Sequence, residues 1–140
     1  MTPLVLDASV VAKLFFPEDK SDSAKELVES AVKKAVPLYA PALLFIEIAS
    51  VAWKKCRLGE MGSKDAASVI QALQSFPLEF IPLDVLSAPA LEIALHTGCT
   101  PYDGVYIALA DAVGGVVKTA DAGLVKIISR TVFAKYVSLI

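Results

Sequence analysis

Leu4-Val5-Leu6-Asp7-Ala8-Ser9-Val10-Val11-Ala12-Lys13 is the stretch from which the rest of the chain can be read. Leu4 to Leu6 is a short apolar run with no polar alternation, the mark of a strand buried on both faces. An aspartate follows at once. Behind it, Ala8 to Phe16 has a helical pattern that Pro17 stops. Apolar strand, acid at its carboxyl end, then helix is the repeating unit of an open parallel sheet, in which ligands sit beyond the carboxyl ends of the strands.

Further elements follow from this unit. Ser23-Ala-Lys-Glu26 has the form of a capping box, and the helix behind it places Ala24, Leu27, Val28, Ala31, Val32 and Ala35 on one face. Pro37 to Ala40 reads as a brief strand. Ala42 to Leu58 reads as a long helix whose last turns carry Lys54, Lys55 and Arg57, with Gly59 beyond its end, as the helix dipole and a C-terminal cap favour. Ser63 to Phe76 is a further helix with Ser63 as its cap. Leu78 to Leu83 is a strand, and Pro82 places it at an edge. The spacing then predicts helices over 89–97 and 103–113, a strand over 116–119, a helix over 121–129 and a last strand over 136–140. Apolar strands alternating with helices predict an α/β three-layer sandwich, a central parallel sheet flanked by helices on both faces, with right-handed crossovers.

At 140 residues the chain has the length of one domain. Hydrophobic residues make up 56% and charged residues 20%, which excludes a disordered chain. A domain this apolar is expected to bury surface against a partner as well as in its core. The formal net charge of −2 gives no global basic field for binding a long duplex. Cys56 and Cys99 have neither zinc-site nor redox spacing and read as reduced thiols. The opening residues lack the basic segment of a signal peptide. The most apolar window, 35–53, contains Pro37, Pro41 and Glu47, so a membrane span is not expected and the reading is a cytoplasmic protein.

The acids carry the functional signal. Asp7, Asp103 and Asp121 each stand at a predicted helix start, where aspartate is a good cap worth about 1 kcal/mol. No one of them alone makes a site. Glu47 lies between Ile46 and Ile48, with Leu43, Leu44 and Val51 at helical spacing and no cation in reach along the helix. A carboxylate on such a stripe must be paired, protonated or bound to metal. Brought together, the four would repel one another unless a positive charge sat between them, and oxygen-only ligands favour Mg²⁺ or Mn²⁺. No phosphate-binding P-loop and no Ser-His-Asp set is present. His96, the only histidine, reads as a residue of a helix C-terminus. Asp84 reads as a cap or turn residue after a strand.

These blocks resemble those of the PIN-domain ribonucleases, in particular the VapC-type toxins. Leu6-Asp7-Ala-Ser9-Val-Val-Ala-Lys13 is similar to the family's opening strand and turn. Pro41-Ala-Leu-Leu-Phe-Ile-Glu47 is similar to the helix that carries its glutamate. Pro101-Tyr-Asp103-Gly-Val-Tyr-Ile-Ala-Leu-Ala110 resembles its third block and Thr119-Ala-Asp121 its fourth. The likeness runs from Val5 to Asp121. It implies a single PIN-like domain over 1–140. It also implies an Mg²⁺- or Mn²⁺-dependent endoribonuclease, the toxin of a type II toxin–antitoxin pair, cutting RNA phosphodiester bonds with water activated on the ion. Asp7 and Asp103 would be the principal metal ligands, with Glu47 and Asp121 completing a four-carboxylate catalytic pocket. Ser9 and Thr119 would be supporting hydroxyls. Lys13 could meet an RNA phosphate. Where the family often has asparagine after the glutamate, this chain has Ala49-Ser50, and its fourth block continues Ala122-Gly123.

The resemblance also implies an antitoxin partner and a homodimer. Candidate partner surfaces are Leu14, Phe15 and Phe16 on the first helix and the region of Trp53. Other readings are a non-catalytic PIN-like binding module, a housekeeping RNA-maturation nuclease and a phosphoacceptor receiver domain. The last requires adjacent acids after the first strand, where this chain has Asp7-Ala8-Ser9.

Overall fold

The computed structural model describes all residues, Met1 to Ile140. Five parallel strands form one sheet: β1 (Leu4–Leu6), β2 (Leu38–Pro41), β3 (Glu79–Ile81), β4 (Val116–Thr119) and β5 (Val137–Leu139). Their spatial order is β3-β2-β1-β4-β5. The chain builds outward from β1 to β3, crosses back to lay β4 beside β1, and ends at β5. The strand order therefore reverses between β1 and β4, and the carboxyl ends of those two strands flank the natural binding crevice.

Seven α-helices cover the sheet: α1 (Ala8–Phe15), α2 (Ser21–Lys33), α3 (Leu43–Arg57), α4 (Ser63–Gln74), α5 (Ser87–Thr97), α6 (Pro101–Val113) and α7 (Ala122–Ile128). Alternation along the strands divides the core in two. Val5 and Val117 face a cluster with Ile93, Ile107, Leu109, Leu124 and Ile128 of α5, α6 and α7. Leu6, Leu38 and Ala40 face a second cluster with Val11, Val28, Leu44, Ile48 and Leu73 of α1 to α4. This is the three-layer sandwich that the alternating apolar runs predict, and β3 is the edge strand that Pro82 predicts. No helix is long and apolar enough to cross a membrane. Cys56 and Cys99 are unpaired, the latter buried.

The predicted helix starts need correction at several points. The capping box at Ser23 does not form, because α2 begins at Ser21 after Lys20, whose φ is +64°. The Ser21 hydroxyl instead accepts from the Glu18 amide at 3.0 Å. Val32, still within α2, is 52% exposed, and Ala35 lies past the helix end at Lys33. Gly62, not Ser63, precedes α4 as its cap. Asp103 is not the cap of α6. Thr100 is, with Pro101 in the first turn, where its missing N–H costs nothing. Asp84 lies beyond the end of β3 at Ile81. Phe16 is core, 1% exposed, and so cannot be a partner surface.

Candidate active site

Asp7 closes β1. Its amide donates to the Lys118 carbonyl of β4 at 3.1 Å, and its own carbonyl accepts from Val10 and Val11 to start α1. It occupies the capping position of α1, yet its side chain does not cap. Oδ2 accepts instead from the Ser9 hydroxyl at 2.6 Å and the Thr119 hydroxyl at 2.8 Å. Each hydroxyl has one proton, and each gives it to Asp7. The 3.2 Å approach of Ser9 to Thr119 is therefore a contact between acceptors, not a third hydrogen bond. The two hydroxyls in turn accept from the backbone: Ser9 from Ala120 at 2.9 Å and Thr119 from Asp121 at 3.0 Å. Oδ1 has no partner among these bonds. No fully buried side-chain oxygen of the protein is unpaired, so Oδ1 opens to solvent.

Asp121 caps α7, its Oδ1 accepting from the Leu124 amide at 3.1 Å, and it is exposed. Asp103 lies one turn into α6, its amide held by the Thr100 hydroxyl at 3.1 Å. Burial, then the charges of Asp7 and Asp121, push its carboxyl above the usual aspartate range. Glu47 lies in the second turn of α3. Burial also pushes its carboxyl up, with Asp7 and Asp103 adding to the effect and a hydrogen bond from Tyr106 opposing it. Asp103 thus stands in the field of Asp7 and Asp121, and Glu47 in that of Asp7 and Asp103, at the reversal between β1 and β4. The protein's ion pairs, Lys13–Glu18 and Lys55–Glu60, lie elsewhere, so nothing neutralises the acids.

The stripe assigned to Glu47 from sequence is only half apolar core. Leu44 and Ile48 are fully buried, whereas Ile46 is 65% exposed and Glu47 lies at the boundary. Lys13 is turned to Glu18 at 3.1 Å and does not touch the acids. His96 ends α5, its Nδ1 2.8 Å from the Glu92 carbonyl, as the dipole argument predicts. A cavity of about 510 Å³ lies between α2 and the β4–β5 edge, and none of the four acids borders it.

Tyr106 is the residue that the sequence reading passed over. It is 1% exposed and donates to Glu47 Oε1 at 2.5 Å. The available signal was its place three residues after Asp103, on the same helical face.

The donor chemistry fits a hard cation. All four candidate donors are carboxylates, and the nearby Cys99 is buried and pushed towards the protonated thiol by burial and by Asp103. No three or more His, Cys, Asp or Glu side chains are gathered closely enough to hold a metal ion by themselves. Mg²⁺ does not need such a group: it keeps several waters and is held by one or two carboxylates plus substrate phosphate.

A family model described as PIN domain matches residues 4–128. Ribonuclease VapC3 of Pyrobaculum aerophilum is 36% identical over 126 residues, covering 86% of this chain and 91% of that protein. A crystal structure of a Pyrobaculum aerophilum protein is similar at 26% identity with a TM-score of 0.64, over 90% of this chain and 79% of that one. VapBC2 of Rickettsia felis, bound to a DNA fragment from its promoter, has a TM-score of 0.69 over 99% of this chain and 98% of that one. At 13% identity it speaks for the fold alone.

Proposed function

The chain belongs to the PIN domain family, among its VapC-type members, and we propose that it is a divalent-metal-dependent endoribonuclease acting as the toxin of a toxin–antitoxin pair. The observation that carries the reading is the unneutralised acid set at the strand-order reversal, with its most buried member, Asp7, fixed by two hydroxyls. No cation of the protein pairs with these acids.

Asp7 and Asp103 would hold Mg²⁺ or Mn²⁺, with Glu47 and Asp121 completing the set directly or through water. When bound, the ion offsets charge building on the scissile phosphate and lowers the pKa of water beside it. The chain's own residues do the rest. Ser9 and Thr119 fix Asp7 in one orientation, leaving Oδ1 for the site. Asp121 is fixed by capping α7. One of Glu47 or Asp121 would orient the attacking water against the phosphate. Lys13 would exchange Glu18 for a backbone phosphate.

The RNA substrate, an antitoxin partner and a homodimer belong to the same proposal, as does a cytoplasmic setting. Toxin–antitoxin complexes of the same fold support the antitoxin. Exposed apolar side chains support a protein partner: Ile46, Trp53 and Leu58 on and just past α3, and Leu91 and Leu95 on α5. The test is cleavage of a labelled RNA panel by metal-stripped protein with Mg²⁺, with Mn²⁺ and with EDTA. Cutting that requires either ion supports the reading; cutting unaffected by EDTA contradicts it.

A further inference from the structure

Two of the acids share one design. Asp7 has Oδ2 anchored by hydroxyls and Oδ1 left open. Glu47 has Oε1 anchored by the Tyr106 hydroxyl at 2.5 Å, and Oε2 makes no hydrogen bond within the protein. As no fully buried oxygen is unpaired, Oε2 too reaches solvent. Tyr106 is among the largest fully buried side chains, locked in the core between α6 and the sheet. One phenol therefore joins α6, which carries Asp103, to α3, which carries Glu47.

We infer that Tyr106 is a positioning residue that holds Glu47 in the one orientation presenting Oε2 to a divalent cation shared with Asp7 and Asp103. The inference rests on the metal-dependent reading above and adds a member to its machinery. A glutamate has three rotatable bonds and, on a half-exposed helix face, would otherwise sample many positions. A buried phenol has two and is held by packing, so a bond to it removes that freedom. Partners of this kind are typically worth a factor of about 10–100 in metal affinity.

The experiment measures Mn²⁺ binding, by electron paramagnetic resonance of the free ion, to the full chain and to Tyr106→Phe, Glu47→Gln and the double variant. Phenylalanine keeps the ring and its packing, and thermal melts report whether the fold is kept. The expected result is an affinity lowered about tenfold by Tyr106→Phe. The expected double variant binds as Glu47→Gln alone, because the tyrosine acts through the glutamate. A purely structural role would instead add in full to Glu47→Gln. Uniform 3-fluorotyrosine labelling alters the phenols without deleting them and serves as the second arm if Tyr106→Phe does not fold. It is expected to shift Mn²⁺ affinity in the parent but not in Glu47→Gln. A parent that binds Mn²⁺ with Tyr106→Phe unchanged, additivity with Glu47→Gln, or labelling without effect overturns this inference alone. A parent that binds no Mn²⁺ overturns it together with the metal-dependent reading.

Discussion

The Thr119 hydroxyl, fully buried at the end of β4, donates to Asp7 Oδ2 at 2.8 Å and so ties together the carboxyl ends of two strands that lie 112 residues apart in sequence. The same oxygen accepts from the Asp121 amide, so one threonine fixes both an acid of the first block and the backbone of the last. Thr119→Val keeps the shape and removes the hydroxyl. The Asp121 amide loses its acceptor and Asp7 keeps Ser9 alone. The expected cost is about 1–3 kcal/mol of stability, read from urea unfolding. RNA cleavage should fall about 10–100-fold, with Thr119→Ser close to the parent in both measurements.

Asp103 carries a charge that the fold does not neutralise. Burial and the charges of Asp7 and Asp121 disfavour its ionised form. Asp103→Asn should therefore raise the melting temperature of metal-free protein at neutral pH while removing RNA cleavage. A gain in stability coupled to a loss of activity marks a charge kept for function. An unchanged or lowered melting temperature would count against the electrostatic picture.

The pH dependence of stability follows from the same shifts. Glu47 and Asp103 have folded-state values raised above the ordinary 4.5 and 3.8. A raised carboxyl binds its proton more tightly in the folded state, so its contribution is full below the ordinary value and is lost as pH rises through the folded one. Melting temperature of the metal-free protein should fall as pH rises from about 4 through the upper carboxylate range. The double variant Glu47→Gln/Asp103→Asn should show a smaller fall, and Mg²⁺ should offset it in the parent alone.

Gly104 gives a prediction of opposite sign to the usual helix rule. Glycine to alanine within a helix ordinarily gains about 0.5–1 kcal/mol. Here a Cβ would stand 2.6 Å from the Ala90 carbonyl oxygen of α5, a backbone atom that cannot swing away. Gly104→Ala should force α5 and α6 apart and cost about 1–3 kcal/mol net, measured by chemical unfolding. Asp103 is its neighbour, so cleavage should fall with it.

Much of this site was legible because acids beyond apolar strands are a local pattern. Asp7 follows β1 directly, Asp121 follows β4 after Ala120, and the adjacency of those strands supplies the rest. Capping was less legible. Asp7, Asp103 and Asp121 all suit a helix start by residue type, yet only Asp121 caps with its side chain. Thr100 takes the place at α6, and Asp7 is drawn away by two hydroxyls, one of them from a distant strand. No local rule ranks a tertiary acceptor above a cap. Periodicity also failed to say where a helix face meets solvent. Phe16 looked like a surface residue and is core, while Ile46 looked like core and is exposed. Tyr106 stayed hidden because an aromatic residue in an apolar helix reads as packing, and its partner Glu47 lies 59 residues away.

If the acid set cuts RNA with a divalent ion, removing the charge of Asp7 by Asp7→Asn must stop the cutting. The substitution keeps the side chain's shape and its acceptor oxygen for Ser9 and Thr119, so the fold should stand. Cleavage of a labelled RNA by parent and variant, each titrated with Mn²⁺, is the measurement. The parent should cut in a Mn²⁺-dependent manner, and the folded variant should lose at least about a hundredfold. A variant that cuts as fast as the parent, at the same Mn²⁺ concentration, would contradict it.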